Sequence, residues 1–461
     1  MEESPEYKKW TDRLKKTTYI SYLIIFLGGL EVNAVQIVLL YYLEENFNMT
    51  PNQSRLYYSL AEMFNAFGQM TSGLMIGRFM DRTRNLKLTC LLILCATIVG
   101  NLLYSLPFHI SFILIGRFLC GFNEAFQVAL CGEFKRCYKE DDLIRILSWY
   151  ELFFAIGMAV GPGAPVIFSW VNLKIGHWWI NKYNALHVFL TLLLVLLLIL
   201  LWFQLTDLSK DLDCMKEKHL RQRSQLQCKK DEQRGSLAST EHHDNERYNK
   251  KGQSRKLMKW KELLQIDIIT LCGCYTILRY AANASAALIA MDATTLFHWP
   301  VSWISWLTIA GAGTNFLGIT MLIKCGVFKG IKRNYFCFLS AINTTMFILA
   351  LMLLPKITSI KSYTFQLLYL TFQILAKGWI YFNAQSAGKI LVFNTVTPEN
   401  SCLIDSIRSA VGCLARLFAF ATSFLCFNYP EFFFLPIGTI LFLGNCVIVY
   451  RYKAHIYRQG Q

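Results

Sequence analysis

The chain consists largely of apolar runs, each close to the ~20 residues that an α-helix needs to cross the core of a bilayer. Shorter polar stretches separate these runs along almost the whole length of the 461 residues. The runs lack the strict alternation of apolar and polar positions that is typical of a membrane β-barrel, so a helical bundle is favoured. The pattern therefore predicts an all-α protein that crosses the membrane many times.

The apolar runs predict twelve transmembrane helices, which we number as spans 1 to 12. They cover residues 18–43, 56–80, 86–106, 109–134, 142–169, 184–205, 265–292, 301–324, 334–354, 364–393, 401–428 and 431–450. Polar residues of mixed charge at 206–261 interrupt the series and predict a linker with little hydrophobic core of its own. The linker divides the chain into two six-helix bundles, at residues 1–205 and 262–461.

Positive charge is distributed unevenly over the loops. Five lysines and arginines precede span 1, further ones fill the loops after the even-numbered spans, and the opposite loops carry few. By the positive-inside rule, both termini and the linker lie in the cytosol. The same rule accounts for most of the formal net charge of +16, so the basic composition does not indicate a nucleic-acid partner.

The sequence contains no phosphate-binding loop, no serine nucleophile elbow and no zinc-protease motif. The fifteen cysteines fall in spans or on the cytosolic side, where thiols stay reduced, and the histidines lack the spacing of a metal site. We therefore expect no enzyme activity, no cofactor and no metal. Movement of a solute across the membrane is the function class that remains.

The charged sequence GRFMDRTRNLK occupies the short loop between spans 2 and 3. It resembles the signature loop of the major facilitator superfamily, with Gly77, Asp81 and Arg82 at the matching positions. The chain departs from the family pattern at Arg84, which stands where the pattern has its second glycine.

The resemblance implies a gate. In the family, the glycine lets two helices approach closely, and the aspartate meets the N-terminus of helix 11, where free N–H groups and the helix dipole favour an anion. We therefore expect Asp81 to contact the start of span 11 near Asn400 and Ser401 and to keep the cytosolic side closed in the outward-facing state.

Two further stretches resemble motifs of the same superfamily. GRFLCGFNEA in span 4 has an arginine followed by a glycine, at Arg117 and Gly121. GMAVGPGAP in span 5 matches a Gly-x-x-x-Gly-Pro motif of antiporters, at Gly157, Gly161 and Pro162. Glycines four residues apart let helices pack closely, and proline permits bending. With the six-plus-six layout, these motifs imply the major facilitator fold and transport by alternating access.

The region of spans 10 and 11 is similar to a lysosomal branch of the superfamily, which includes the major-facilitator-domain protein linked to neuronal ceroid lipofuscinosis. The matching residues are Pro398, Gly412, Ala415 and Arg416, although several glycines of the branch pattern are missing. This resemblance implies an endosomal or lysosomal membrane and the transport or conductance of an anion.

Ionisable residues inside the spans are the candidate transport residues, because charge in a bilayer is costly and marks a pathway or a buried ion pair. The candidates are Arg117, Glu124, Lys377, Glu31, Glu62, Arg279, Arg408 and Arg416, and Glu151 in span 5 is a further ionisable residue. Some of them also fit purely structural ion pairs. Glu124 is placed to neutralise Arg117, and Asp405 to neutralise Arg408.

Spans 4 and 10 occupy equivalent places in the two repeats of the superfamily fold. Arg117 in span 4 and Lys377 in span 10 each precede a Phe-Asn pair by the same spacing. We therefore expect these two cations to face each other across a central site for an anion. Glu31, Glu62 and Glu124 are the candidate carboxylates for proton coupling, because burial brings a carboxyl group closer to neutral-pH titration.

These observations predict a secondary-active transporter of a small anionic or acidic solute, with proton coupling as an option. Two alternatives stay open: a channel-like anion conductance on the same fold, and a receptor or scaffold without transport. The second is suggested by the altered signature loop and by the lack of an aspartate in the equivalent loop of the second half. We expect the solute and the lipid bilayer as partners, and a monomer.

Overall fold

The computed structural model describes residues 5–176, 178–235, 266–293, 297, 299, 301–325, 331–354, 362–394 and 401–459. All twelve predicted spans are helical in the described residues, in two groups of six, so the predicted fold class is confirmed. The N-terminal spans are Pro5–Phe47, Pro51–Thr83, Leu86–Ser105, Ile110–Cys137, Glu140–Val160 and Ala185–Gln204. The C-terminal spans are Ile266–Met291, Val301–Lys324, Ile331–Met352, Tyr363–Asn394, Ser401–Asn428 and Pro430–Gln459.

Two spans contain 3-10 turns that the apolar pattern did not predict. In span 4, Gly121–Asn123 separates the helices Ile110–Cys120 and Glu124–Cys137. At the end of span 5, Gly161–Gly163 precedes a single turn of helix, Ala164–Ile167. The second turn contains Pro162, whose missing N–H and fixed φ end the regular α-helix.

Six of the described helices are long and apolar enough to cross a membrane by composition alone, and spans 2 and 11 are not among them. These two spans pack against each other along their length, from Tyr58 and Phe420, whose ring centroids lie 6.3 Å apart, to Gly77 and Ser406. Their polar residues therefore face the interface between the two bundles instead of lipid, as expected for charged groups in a membrane.

Glycines allow the closest helix contacts in the molecule. A Cβ atom on Gly157 would lie 2.1 Å from the carbonyl oxygen of Phe26, and one on Gly161 would lie 2.6 Å from that of Leu30. Both distances are far below van der Waals contact, so spans 1 and 5 meet backbone to backbone. At the interface of spans 2 and 11, a Cβ on Gly77 would lie 2.5 Å from the Ser406 hydroxyl oxygen.

The linker begins with a helix, Leu208–Gly235, although its composition predicts little core. Leu208 and Leu212, one turn apart, pack against Trp10 and Leu14 ahead of the membrane part of span 1. The indole nitrogen of Trp10 also donates a hydrogen bond of 2.9 Å to the Leu208 carbonyl. A single apolar face on the first turns therefore suffices to dock the start of the linker. Residues 236–265 lie outside the described residues.

The loop between spans 5 and 6 forms a short antiparallel hairpin of β1 (Asn172–Ile175) and β2 (Trp178–Asn181). We use this feature to name the two ends of the molecule. The hairpin end is the end at which span 5 leads into span 6 through this hairpin, and the linker end is the opposite one, at which span 6 leads into the linker helix.

Candidate functional site

A cavity lies between the two bundles, lined by spans 1 and 5 from the N-terminal half and by spans 7, 8, 10 and 11 from the C-terminal half. The space open to the centre of a water molecule is about 110 Å³. One water needs roughly 10–15 Å³ by this measure. The cavity therefore has room for several waters or for one small solute.

The charged residues among those that line the cavity are all cationic: Arg279, Lys377 and Arg416. Three amide side chains add hydrogen-bonding groups, those of Asn33, Asn283 and Asn315. Most of the remaining wall is apolar or aromatic. Because such a wall screens charge far less than water does, the described part of the cavity presents a positive potential to an incoming solute.

Two of the three cations have no ion-pair partner among the described residues. Lys377 is partly exposed to the cavity and has no hydrogen bond or ion pair with any residue that the structure describes. Arg279 is buried, with its guanidinium 4.6 Å from the ring centroid of Tyr381. Its Nε and Nη1 atoms find no hydrogen-bond partner among the described residues, and Glu124 attracts it only at longer range.

The third cation belongs to a buried chain of alternating charges. An oxygen of Glu62 lies 2.5 Å from Nη2 of Arg416, and its other oxygen lies 2.8 Å from Nη2 of Arg117. Nη1 of Arg117 pairs with Glu31. Two carboxylates therefore neutralise two guanidinium groups, and the chain joins spans 1, 2 and 4 to span 11 across the bundle interface.

Arg117 does not lie where the comparison of the two repeats predicted. It is fully buried between Glu31 and Glu62 and does not line the cavity that contains Lys377. The reason is that spans 1 and 2 both bring a glutamate to the guanidinium. The match between spans 4 and 10 in sequence therefore does not extend to equivalent surroundings.

Glu124 also differs from its expected place. It accepts a hydrogen bond of 3.0 Å from the Ser409 hydroxyl in span 11, and Arg117 is paired with other carboxylates. The 3-10 turn Gly121–Asn123 lies between Arg117 and Glu124, so the seven-residue spacing of a regular α-helix does not apply to them.

Arg408 has the local partner that the spacing indicated. Its guanidinium lies 2.8 Å from Asp405, donates to Gln385 at 2.8 Å, and lies 4.6 Å from the ring centroid of Tyr275. It is buried and does not line the cavity. These contacts give Arg408 a structural role in joining spans 7, 10 and 11.

A second ion pair between the bundles joins Glu151 to a lysine that was not among the predicted transport residues. Nζ of Lys389 in span 10 lies 2.7 Å from Glu151 in span 5, and the amide of Gln127 donates to the same carboxylate oxygen at 2.6 Å. Both charged side chains are almost completely buried, at 0% and 2% exposure. Lys389 lies near the predicted end of span 10, where a lysine normally extends to the membrane surface, so its position gave no signal.

Asp81 contacts the first turn of span 11. Its carboxylate accepts hydrogen bonds from the backbone N–H of Leu403 at 2.7 Å and of Cys402 at 3.3 Å, and it pairs with Arg136. Free N–H groups at a helix start are natural partners of an anion. Asn400 and Pro398 lie outside the described residues, and Arg82 is in the last turn of span 2.

Arg84, at the position of the missing second glycine, adopts a left-handed backbone with φ of +49°. Glycine takes this conformation freely, whereas other residues adopt it at a cost. The side chain forms an ion pair of 2.5 Å with Asp213 in the linker helix. The altered loop therefore keeps the backbone turn that a glycine would favour.

The contacts of Asp81 extend to the linker. Arg136, which pairs with Asp81, also lies 3.5 Å from Glu133. Glu133 accepts hydrogen bonds from the backbone N–H of Ser209 at 2.7 Å and from its hydroxyl at 3.0 Å. The start of the linker helix and the start of span 11 are thus joined through three charged side chains.

Comparison with known proteins was made on sequence and on structure. The sequence profile of the Major Facilitator Superfamily matches residues 21–419, and no curated protein sequence matches the chain. Among solved structures, the proton:xylose symporter XylE superimposes with a TM-score of 0.64 at 12% identity, covering 95% of each chain.

Two other solved structures are similar. The human organic anion transporter MFSD10 gives a TM-score of 0.63 at 11% identity, covering 97% of this chain and 100% of its own. An outward-facing bacterial homologue of the iron transporter ferroportin gives 0.58 at 12% identity, covering 95% of this chain and 99% of its own. These structural likenesses show the fold alone, whereas the sequence profile covers most of the length, and the chain belongs to the major facilitator superfamily.

Proposed function

We propose that the protein is a secondary-active transporter of a small anionic solute, which binds in the central cavity beside Lys377 and Arg279. The observation that carries this proposal is the charge of the cavity, where the described charged side chains are all cationic and two form no ion pair with a described residue. Family membership supports transport and argues against an enzyme. The structural likeness to a human organic anion transporter agrees with an anionic solute.

Alternating access requires that contacts between the bundles break and re-form. At the linker end, the bundles are joined by Asp81 with the start of span 11 and by Lys389 with Glu151. A solute in the cavity can leave toward the linker end only when these contacts separate. From the charge of the loops we infer that this end faces the cytosol, and from the branch resemblance that the membrane is endosomal or lysosomal.

In this proposal, Glu31, Glu62 and Glu124 are the candidate carboxylates for proton coupling. Glu62 holds Arg117 and Arg416 at once, and Arg416 lines the cavity. The chain of charges therefore links carboxylates of the N-terminal bundle to the solute cavity.

The orientation can be tested by cysteine labelling in a background without the exposed native cysteines. We expect Gln53→Cys, at the hairpin end, to react with an impermeant reagent from the non-cytosolic side, and Lys230→Cys, in the linker helix, to react from the cytosol. Glycan attachment at Asn52, within an Asn-x-Ser sequence, is an independent readout of the same side. The reverse labelling pattern would contradict the orientation.

The gate can be tested by Asp81→Asn. The amide keeps the size of the side chain but removes the charge that the start of span 11 and Arg136 favour, so the linker end should open more often. A contact of this kind contributes about 0.3–2 kcal/mol, enough to change the population severalfold without unfolding the protein. The measurement is the reactivity of a cysteine in the cavity toward a reagent added from the cytosolic side.

The matched control for the gate is Asp213→Asn, at the same end of the molecule. Asp213 pairs with Arg84, but its side chain is 57% exposed, and such pairs contribute little to stability. The control should leave the cavity cysteine as protected as in the wild type. Equal protection in Asp81→Asn would refute the role of Asp81 as a latch.

The solute class can be tested by counterflow in proteoliposomes with radiolabelled lactate, succinate, citrate and phosphate, and with xylose as a neutral control. We expect uptake of at least one organic acid and none of xylose. Lys377→Gln should reduce the apparent affinity about tenfold or more, since a charge-assisted contact is worth roughly 1.5–3 kcal/mol. Lys377→Arg should restore part of the loss, because the charge remains.

The control for Lys377 is Lys324→Gln, an exposed lysine at the end of span 8. It removes the same charge from the protein without touching the cavity and should transport normally. If the wild type takes up xylose and Lys377→Gln transports as well as the wild type does, the anion site is refuted. An anion current far above the turnover of a carrier would instead identify a channel on this fold.

A further inference from the structure

We propose that the solute is an extended dianion, of the class of four- or five-carbon dicarboxylates, held with one carboxylate at Lys377 and the other at Arg279. This inference rests on the proposed function, because it deepens the anion site described above. It follows from the number of cations in the cavity that form no ion pair with a described residue, from their separation and from the wall between them.

The number of charges is the first argument. Lys377 and Arg279 both line the cavity, and neither forms an ion pair within the described part of the chain. Arg416, the third cation, is already neutralised by Glu62 at 2.5 Å. Two like charges in surroundings of low dielectric repel each other strongly. A monoanion can pair directly with one of them, whereas an extended dianion can pair with both.

The separation of the cations is the second argument. The guanidinium of Arg279 lies against the ring of Tyr381, which follows Lys377 by four residues in the same helix. Four residues of α-helix rise by about 6 Å. The two cations therefore mark places about one helical turn apart along span 10. A compact dianion such as phosphate would contact one of them, while an extended dicarboxylate contacts both.

The two ends of the site offer different donors. Arg279 has two nitrogen atoms without hydrogen-bond partners among the described residues, and its guanidinium lies 4.6 Å from the ring centroid of Tyr381. A guanidinium can donate two parallel hydrogen bonds to one carboxylate. Lys377 presents a compact ammonium group that accepts a carboxylate from many directions. Such a site binds one carboxylate at each end and does not require a particular substituent on the carbon chain between them.

The wall between the ends favours a short carbon chain with few substituents. Ile374 and Phe382 contribute apolar surface, and the amide of Asn315 lies so close to span 10 that a Cβ on Gly378 would be 2.1 Å from its nitrogen. Asn315 thus stands beside the segment between Lys377 and Tyr381, where it can hydrogen-bond a hydroxyl or keto group on the chain. The limited volume excludes large organic acids.

The test compares acids that differ only in charge. Purified protein in proteoliposomes is assayed for uptake of succinate, glutarate and the monomethyl ester of each, with phosphate as a competitor. We expect wild-type protein to prefer a dicarboxylate over its monoester about tenfold or more, the effect of one charge-assisted contact. Lys377→Gln and Arg279→Gln should each lower dicarboxylate affinity by that factor and leave the monoester within about twofold, which abolishes the preference.

Stability and charge controls accompany these variants. Because neither cation forms an ion pair among the described residues, both variants should fold and reconstitute into proteoliposomes, and Lys324→Gln should keep the full preference for the dicarboxylate. If Arg279→Gln does not fold, Arg279→Lys tests the same end, because it keeps the charge but loses the planar donors.

The outcomes separate this inference from the proposed function. If diacid and monoester are transported equally, and both variants weaken both equally, the dianion is overturned while the anion site stands. If phosphate inhibits the uptake of labelled succinate as strongly as unlabelled succinate does, the site does not require two separated carboxylates and the extended dianion is overturned. If none of the anions is transported and the variants change nothing, the proposed function fails as well.

Discussion

Replacing Arg117 with glutamine is expected to destabilise the folded protein by about 3–5 kcal/mol, the usual result of removing one partner from a buried ion pair. Arg117 is completely buried and is the cation between Glu31 and Glu62. Without it, two carboxylates remain close together in the protein interior with only Arg416 to neutralise them. The measurement is thermal unfolding of purified protein in nanodiscs, together with the yield of monodisperse protein.

A second substitution should restore much of this loss. Arg117→Gln combined with Glu31→Gln leaves Glu62 paired with Arg416, so the buried charges balance again. The matched control is Arg145→Gln, whose ion pair with Asp142 is exposed at 66% and 53% and should contribute about 0–1 kcal/mol. If the double variant is no more stable than Arg117→Gln alone, the loss of stability does not come from the unbalanced charge of Glu31 and Glu62.

The fold could be predicted from the sequence because it depends on features that are local along the chain. Length and apolar composition gave the twelve spans, and the long polar interruption gave the division into two bundles. The glycine motif of span 5 could be identified because Gly157 and Gly161 are four residues apart on one helix face. The pairing of Asp405 with Arg408 could also be predicted, since partners three residues apart meet on any helix.

The candidate site could be predicted only as a set of buried charges. Which charges pair depends on the rotation and tilt of helices that are far apart in sequence. Arg117 and Lys377 have similar sequence surroundings, yet Arg117 meets glutamates from spans 1 and 2, while Lys377 faces the cavity. Similar residues in two repeats therefore do not guarantee similar partners.

The two lysines of span 10 illustrate the same limit. Lys377, near the middle of the helix, has no partner in the described residues, whereas Lys389, near its end, is buried against Glu151. Position along a helix suggests the opposite assignment, because the middle of a bilayer is the costlier place for a lone charge. The difference arises because span 5 brings Glu151 against span 10 at Lys389, a contact that no local sequence pattern encodes.

That ion pair between the bundles leads to the second large effect. Lys389→Met should leave Glu151 buried with only the Gln127 hydrogen bond, at a cost of about 3–5 kcal/mol to the state in which the bundles are closed at the linker end. Opening gives Glu151 access to water and removes much of this cost. We therefore expect the open population to rise about a hundredfold or more relative to the closed one.

The combined variant Lys389→Met with Glu151→Leu should have the opposite effect. It replaces the pair by apolar side chains of similar size, a change that is often neutral or stabilising by about 1–4 kcal/mol in a closed interior. The linker end should then open more rarely than in the wild type, and transport should slow although the cavity is unchanged. The measurement is the distance between spin labels on Arg145→Cys and Lys332→Cys, exposed positions of the two bundles at the linker end.

The opposite signs of these two variants make the test selective. A role of the pair in folding alone predicts that the single variant loses stability in every conformation, with no change in the distribution of label distances. A role in gating predicts a longer distance in the single variant and a distance no longer than in the wild type in the double one. Because each cycle of alternating access must separate Lys389 from Glu151, the strength of this one contact sets how often the solute can leave toward the linker end.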